Sequence, residues 1–232
     1  MLTSKERAAL AAQFKAEGIV RIGSFLPDER AEQLYRELRA RTDWKQVFNS
    51  GDKLFELDRA TQAALDAERR AELDQAIYAG AREGFQYRYE TIRVPDEEDA
   101  RNASDDPLAR LALDMSGGEM RDLLREITGK PAIRFADAQG TAYSPGDFLT
   151  GHDDRFPGKD RLAAYVLGLT PVWRIEWGGL LVMHGDDQAA SRAYPPLMNV
   201  LTLFGVPQMH SVSEVSRAAA YRRYSVTGWL RA

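Results

Sequence analysis

The 232-residue chain carries 31 Lys+Arg against 35 Asp+Glu, a formal net charge of −4, with 44% hydrophobic residues and no cysteine. These values exclude disordered and collagen-like architectures, Cys-ligated zinc, iron–sulfur clusters, thiol nucleophiles and disulfides. No apolar run is long enough for a membrane span, no basic excess marks a nucleic-acid binder, and MLTSKERAAL lacks a basic-then-apolar leader, so the expected address is the cytoplasm.

The first third has helical patterning. Thr3-Ser4-Lys5-Glu6 resembles a capping box, an Ala-rich run extends to about Lys15, and Gly18 ends it. GIVRIGSFL then alternates like a strand. Leu34, Tyr35 and Leu38 give the segment from Pro27 to about Arg41 one apolar stripe, which predicts a second helix. WKQVF and KLFEL are short β-branched and aromatic runs. A long helix is expected over Ala60–Arg82, then a strand over Phe85–Val94. PDEEDARNASDDP is acidic and unpatterned and is expected to be an exposed loop; its Asn102-Ala103-Ser104 sequon is a chance match. A last helix is expected with Ser116 as N-cap and Gly129 after its end.

From Pro131 the pattern changes to short strands punctuated by Gly, Pro and Asp. Candidates are AIRFADAQGTAY, GDFLTGHDD, LAAYVLGLT, GGLLVMH, NVLTLFGV, MHSVSEV and YRRYSVTGWL. With no flexible linker visible, the expectation is one α+β domain over 1–232. Residues 1–130 give helical support and edge strands, and 131–232 form a jelly-roll core.

Three clusters carry chemistry. On a strand, His152 and Asp154 would share a face, two-thirds of a 2-His-1-carboxylate triad that leaves open positions on Fe(II). The same pattern also suits a turn histidine paired with a carboxylate. His210, on another predicted strand, is a candidate third ligand, whereas His184 looks like a strand-end residue with a structural role. Alternation places Arg223 and Ser225 on one face and Arg222 and Tyr224 on the other. An inward guanidinium is costly unless an anion meets it, and its planar fork suits a carboxylate. A rim arginine paired with an acid is the plainer alternative. Tyr143, nine residues before His152, is either a further donor to that anion or a packed core tyrosine. Phe85, Tyr87, Tyr89 and Arg155 are candidates for the cavity mouth.

Taken together, His152-x-Asp154, His210 and Arg223-x-Ser225 running into Gly228-Trp229 resemble the iron and 2-oxoglutarate-dependent dioxygenases of the prolyl-4-hydroxylase-like group. Tyr143-x-x-Gly146-Asp147-Phe148 and Trp177-Gly178-Gly179 extend the resemblance, with Gly84-Phe85-Gln86-Tyr87 a weaker part of it. The resemblance implies a double-stranded β-helix with Fe(II) on His152, Asp154 and His210. It also implies 2-oxoglutarate gripped by Arg223 with Ser225 and Tyr143 assisting, O2 as co-reactant, and ascorbate as an accessory. The implied reaction is hydroxylation coupled to oxidative decarboxylation of 2-oxoglutarate; members that halogenate lack the carboxylate found here at Asp154. A peptidyl or protein prolyl residue is the expected substrate. A free amino acid or small metabolite, or a non-catalytic binding protein on the same fold, is the alternative. Neither nucleic acid nor membrane is an expected partner.

Overall fold

Local chemistry sets the N-terminal elements. The computed structural model describes residues 2–232. Helix α1 (Ser4–Glu17) begins at a complete capping box, in which Thr3 Oγ1 accepts from the Glu6 N–H and Glu6 accepts from the Thr3 N–H. Gly18, left-handed at φ 70°, ends it and releases strand β1 (Ile19–Gly23). Helix α2 (Asp28–Ala40) buries Ala31, Leu34 and Leu38. Strands β2 (Lys45–Ser50) and β3 (Lys53–Asp58) form a hairpin. Helices α3 (Arg59–Ala64) and α4 (Ala67–Glu83) precede β4 (Tyr87–Arg93). The single helix expected over Ala60–Arg82 is therefore two. Asp66 accepts from the Arg69 N–H at 2.8 Å, so this side chain caps a new helix instead of continuing the old one.

The expected exposed loop after Val94 is also corrected. It contains helix α5 (Glu98–Asn102), and Arg101 turns into the protein. The Arg101 guanidinium donates to the carbonyls of Pro95 at 2.5 Å and Ala136 at 3.0 Å and lies 4.3 Å from the Phe135 ring centre. One buried cation held by carbonyls, with the Asp96 carboxylate 4.0 Å away, thus orders a segment whose composition is that of a solvated loop. Helix α6 (Pro107–Ser116) follows, with Asp106 as N-cap and Pro107 in its first turn, and then helix α7 (Gly118–Thr128). Ser116 closes α6 rather than capping α7: its hydroxyl donates back to the Ala112 carbonyl at 2.7 Å and accepts from the Ala136 N–H at 3.0 Å.

The second half supplies β5 (Phe135–Ala136), β6 (Gln139–Tyr143), β7 (Phe148–His152), β8 (Arg161–Gly168) and β9 (Leu181–Met183). Four more follow: β10 (Arg192–Tyr194), absent from the expected set, β11 (Val200–Gly205), β12 (His210–Val212) and β13 (Arg223–Arg231). Every pairing is antiparallel, in the order β1-β11-β8-β13-β6-β4-β7-β12-β9-β10. Curling of this sheet gives the jelly roll, with the helices against its outer face. Leu34, Leu38, Trp44, Leu108, Met115 and Tyr224 belong to the core between them. No helix among the described residues is long and apolar enough to cross a membrane.

Candidate active site

Antiparallel register brings two distant histidines face to face. His210 on β12 pairs directly with His152 at the end of β7, and their ring centres lie 4.1 Å apart. Asp154 joins them, but not by strand alternation. The strand ends at His152, and Asp154 adopts a left-handed conformation at φ 64°, which folds its carboxylate back onto the rings. Aspartate tolerates that region better than most residues because its short side chain bonds locally. His152 Nε2 lies 3.4 Å from one Asp154 oxygen and His210 Nε2 lies 3.5 Å from the other.

The proton positions make this cluster suited to a cation. His152 Nδ1 lies 3.0 Å from the Thr150 carbonyl and His210 Nδ1 lies 2.7 Å from the Gln208 carbonyl. Those oxygens only accept, so each Nδ1 carries a proton, and each Nε2 is the ring nitrogen that faces Asp154. Burial, aided by the charge of His152, pulls His210 down to about 4, so its imidazole is neutral. Burial pushes the Asp154 carboxyl up, but hydrogen bonding from His152 and the charge of His210 outweigh it and hold the group below its ordinary value. Two imidazole nitrogens and a carboxylate thus converge on one point. One donor atom from each lies within 4.8 Å of the others, which fits a single transition-metal ion such as Fe(II). His184 lies outside the cluster and hydrogen-bonds the Ser211 hydroxyl at 2.8 Å.

The inner face of β13 carries the opposite charge. Arg223 and Ser225 share the inner face of β13 and are 2% and 0% exposed. Arg223 Nε and Ser225 Oγ have no hydrogen-bond partner, and among the described residues no carboxylate pairs with Arg223. Tyr143 on β6 pairs in register with Arg223, whose guanidinium carbon lies 4.8 Å from the ring centre. Burial pushes the Tyr143 hydroxyl far above the usual tyrosine range, with Tyr89 adding to the shift, so it stays protonated and able to donate. A buried cation, a hydroxyl lacking a partner and a protonated phenol are the donors that a carboxylate would need.

Aromatic rings connect the two ends. Phe85 lies 5.5 Å from His152, Tyr87 5.5 Å from Phe85, Tyr89 5.6 Å from Tyr87 and Tyr143 5.1 Å from Tyr89. Phe85 is 49% exposed and marks the mouth, whereas Tyr89 is half-buried and its hydroxyl is pushed up to about 12 by burial. Arg155 lies on the surface beside the mouth and pairs with Asp153 at 2.6 Å. Sequence reading overlooked Arg161, which donates to the Asp154 carbonyl at 2.9 Å and stacks 3.5 Å from the Trp229 ring centre. Nothing in its spacing from Asp154 could have announced that contact, because a turn rather than a strand creates it.

Arg222 needs a correction too. It does face away from Arg223, toward Trp44 and Tyr224 at 5.6 and 5.4 Å, but it is no bystander. It forms an ion pair with Glu90, itself only 8% exposed.

Residues 138–231 match the family model of the 2OG-Fe(II) oxygenase superfamily, and no curated protein matches the chain. Among solved structures, a prolyl-4-hydroxylase of Pseudomonas putida is 20% identical, with a TM-score of 0.64 over 97% of this chain and 98% of that one. A prolyl hydroxylase of Trichoplax adhaerens, solved with a hypoxia-inducible-factor peptide fragment, is 16% identical, with a TM-score of 0.62 over 98% and 89%. A non-heme alpha-ketoglutarate-dependent epimerase of nogalamycin biosynthesis is 15% identical, with a TM-score of 0.61 over 98% and 83%. At these identities the likenesses establish the fold. The family match spans Tyr143, His152, Asp154, His210, Arg223 and Ser225, so residues 138–231 are similar to the 2OG-Fe(II) oxygenases, and the chain as a whole has a prolyl-4-hydroxylase-like fold.

Proposed function

We propose that the protein is a hydroxylase in which His152, Asp154 and His210 hold Fe(II), and Arg223, Ser225 and Tyr143 hold the distal carboxylate of 2-oxoglutarate. The observation that carries this reading is the placing of two opposite deficits at the two ends of one run of aromatic rings. A converging His-His-Asp cluster lacks a cation, and a buried Arg-Ser pair lacks an anion. Bound Fe(II) supplies O2 activation coupled to oxidative decarboxylation of 2-oxoglutarate, with succinate, CO2 and a hydroxylated substrate as products.

The chain's own contribution is orientation and exclusion of water. The Thr150 and Gln208 carbonyls lock both imidazoles in the metal-binding tautomer. Arg161 holds the left-handed turn of Asp154 through its carbonyl. The Tyr87, Tyr89 and Tyr143 rings line the way from mouth to anchor and keep it apolar.

The substrate we assign is a prolyl residue of a peptide or protein. Phe85 beside His152 is half exposed, and Phe156, two residues after Asp154, is exposed as well. Such a rim suits an apolar ring better than a zwitterionic free amino acid, whose charges would call for unpaired partners there. The whole of 1–232 would act as one domain, in the cytoplasm, with ascorbate as accessory reductant. The test is incubation of the Fe(II)-loaded protein with 2-oxoglutarate and either a proline-containing peptide pool or a small-metabolite pool. Succinate release and the mass of one added oxygen are followed. Oxygen gained on prolyl peptides is the expected result; oxygen gained only on metabolites removes the substrate assignment, and no succinate with any pool removes the hydroxylase reading.

A further inference from the structure

The two ends of the curled sheet, β1 and β10, meet at a seam, and an arginine bridges it. Arg21 on β1 pairs in register with Thr202 on β11, which in turn pairs with Val166 on β8. Arg21 therefore reaches the jelly roll from the edge strand farthest along the sheet from the metal cluster's strands. Its Nη2 donates to the Pro195 carbonyl at 3.2 Å, and its guanidinium carbon lies 5.1 Å from the Tyr194 ring centre. Its Nε is buried and has no partner, and among the described residues no carboxylate pairs with it.

Behind the seam is a narrow slit of about 10 Å³, room for about one water, lined by both Arg21 and Arg223. Leu197 closes the slit with its backbone: a Cβ placed on Gly168 would meet the Leu197 carbonyl at 2.2 Å, so only glycine lets that wall approach. Two guanidiniums thus border one internal space that contains no acid. In a low-dielectric environment they repel each other and each lacks a counter-charge, a cost recovered when an anion binds beside Arg223. A seam latch needs only the Pro195 and Tyr194 contacts.

We propose that Arg21 is a second cation for the distal carboxylate of the cosubstrate, and that it sets the preference for a keto acid with two carboxylates over one with a single carboxylate. The inference rests on the 2-oxoglutarate reading above and extends it to a residue outside the matched segment 138–231. Arg223, fully enclosed, remains the main anchor. Arg21, partly open at the seam, adds a weaker, more screened attraction.

The test is anaerobic calorimetry on the Fe(II)-loaded full chain with two ligands, 2-oxoglutarate and 2-oxopentanoate. They share the chelating keto-acid end, and only the first has a distal carboxylate. Arg21→Met is expected to weaken 2-oxoglutarate about tenfold, one charge-assisted contact's worth, and to leave 2-oxopentanoate within about twofold. An equal loss for both ligands would make Arg21 a latch and overturn the proposal, as would no loss for either. If the Met variant does not fold, Arg21→Lys supplies the ratio: a preference for the dicarboxylate reduced severalfold supports the proposal, and an unchanged preference overturns it. Wild-type protein that binds neither ligand would remove the cosubstrate reading itself, and this inference with it.

Discussion

Arg222 and Arg223 are neighbours in sequence and opposites in role. Strand alternation sends one to the helix side of β13 and the other into the cavity. Arg222 finds Glu90 and two aromatic faces there, so its charge is balanced within the protein. Arg223 is more deeply buried and has no acid at all among the described residues. A buried charge that is paired belongs to the architecture. A buried charge left unpaired has its partner outside the chain.

The largest effect should come from the metal cluster. Alanine at His152, Asp154 or His210 is expected to lower Fe(II) affinity by ~10²-fold or more, since even outer-shell changes cost 10–100-fold. Metal content after gel filtration measures it. His184→Ala is expected to retain one Fe(II) per chain, because that histidine serves Ser211 instead. Iron retained by His210→Ala but lost from His184→Ala would relocate the cluster.

The next effect separates the two arginines. Arg223→Ala is expected to weaken 2-oxoglutarate about 10²–10³-fold, the value of two charge-assisted hydrogen bonds in a desolvated pocket. Lysine at 223 should recover only part of this, because a point charge does not reproduce the fork. Arg222→Ala is expected to leave that affinity within about twofold. The charge-transfer band of the Fe(II) chelate, followed in an anaerobic titration, reports both. Equal losses for the two variants would abolish the distinction between the faces.

Stability should respond the other way round. Arg222→Ala leaves buried Glu90 only the longer Arg59 contact at 3.8 Å and is expected to cost about 2 kcal/mol, reduced from a fully buried pair because the Arg222 side chain is partly solvated. Urea midpoints at constant slope measure it, and a loss near zero would mean that water already serves Glu90. The smallest effect belongs to the outer buttress. Thr3→Ala removes the acceptor of the capping box and is expected to cost about 1 kcal/mol, with iron and 2-oxoglutarate binding untouched. Thermal denaturation of the metal-free and Fe(II)-loaded protein, compared side by side, checks both halves of that statement.

The sequence by itself determined much of this. Thr3, Glu6 and Gly18 define the first helix because caps act over three or four residues. Period-2 alternation alone assigns Arg223 and Ser225 to one side of β13 and Tyr224 to the other. Residue types were equally legible, since histidine and carboxylate are what iron takes and a guanidinium is what a carboxylate takes.

Tertiary structure decided the rest, wherever the deciding contact is distant in sequence. Arg101 looks like part of a solvated acidic loop until the Ala136 carbonyl, 35 residues away, accepts from it. Ser116 looks like a helix start until the Ala136 N–H claims it. Asp154 reaches the histidines by a left-handed turn held from Arg161, not by the strand geometry its spacing suggests. Arg21 is an ordinary edge-strand residue until the curled sheet closes and brings it to the slit that Arg223 lines from strand β13. Short-range patterns are written in the chain because backbone hydrogen bonds and alternation are local. The closing of a sheet on itself is not, because it depends on every pairing in the roll at once.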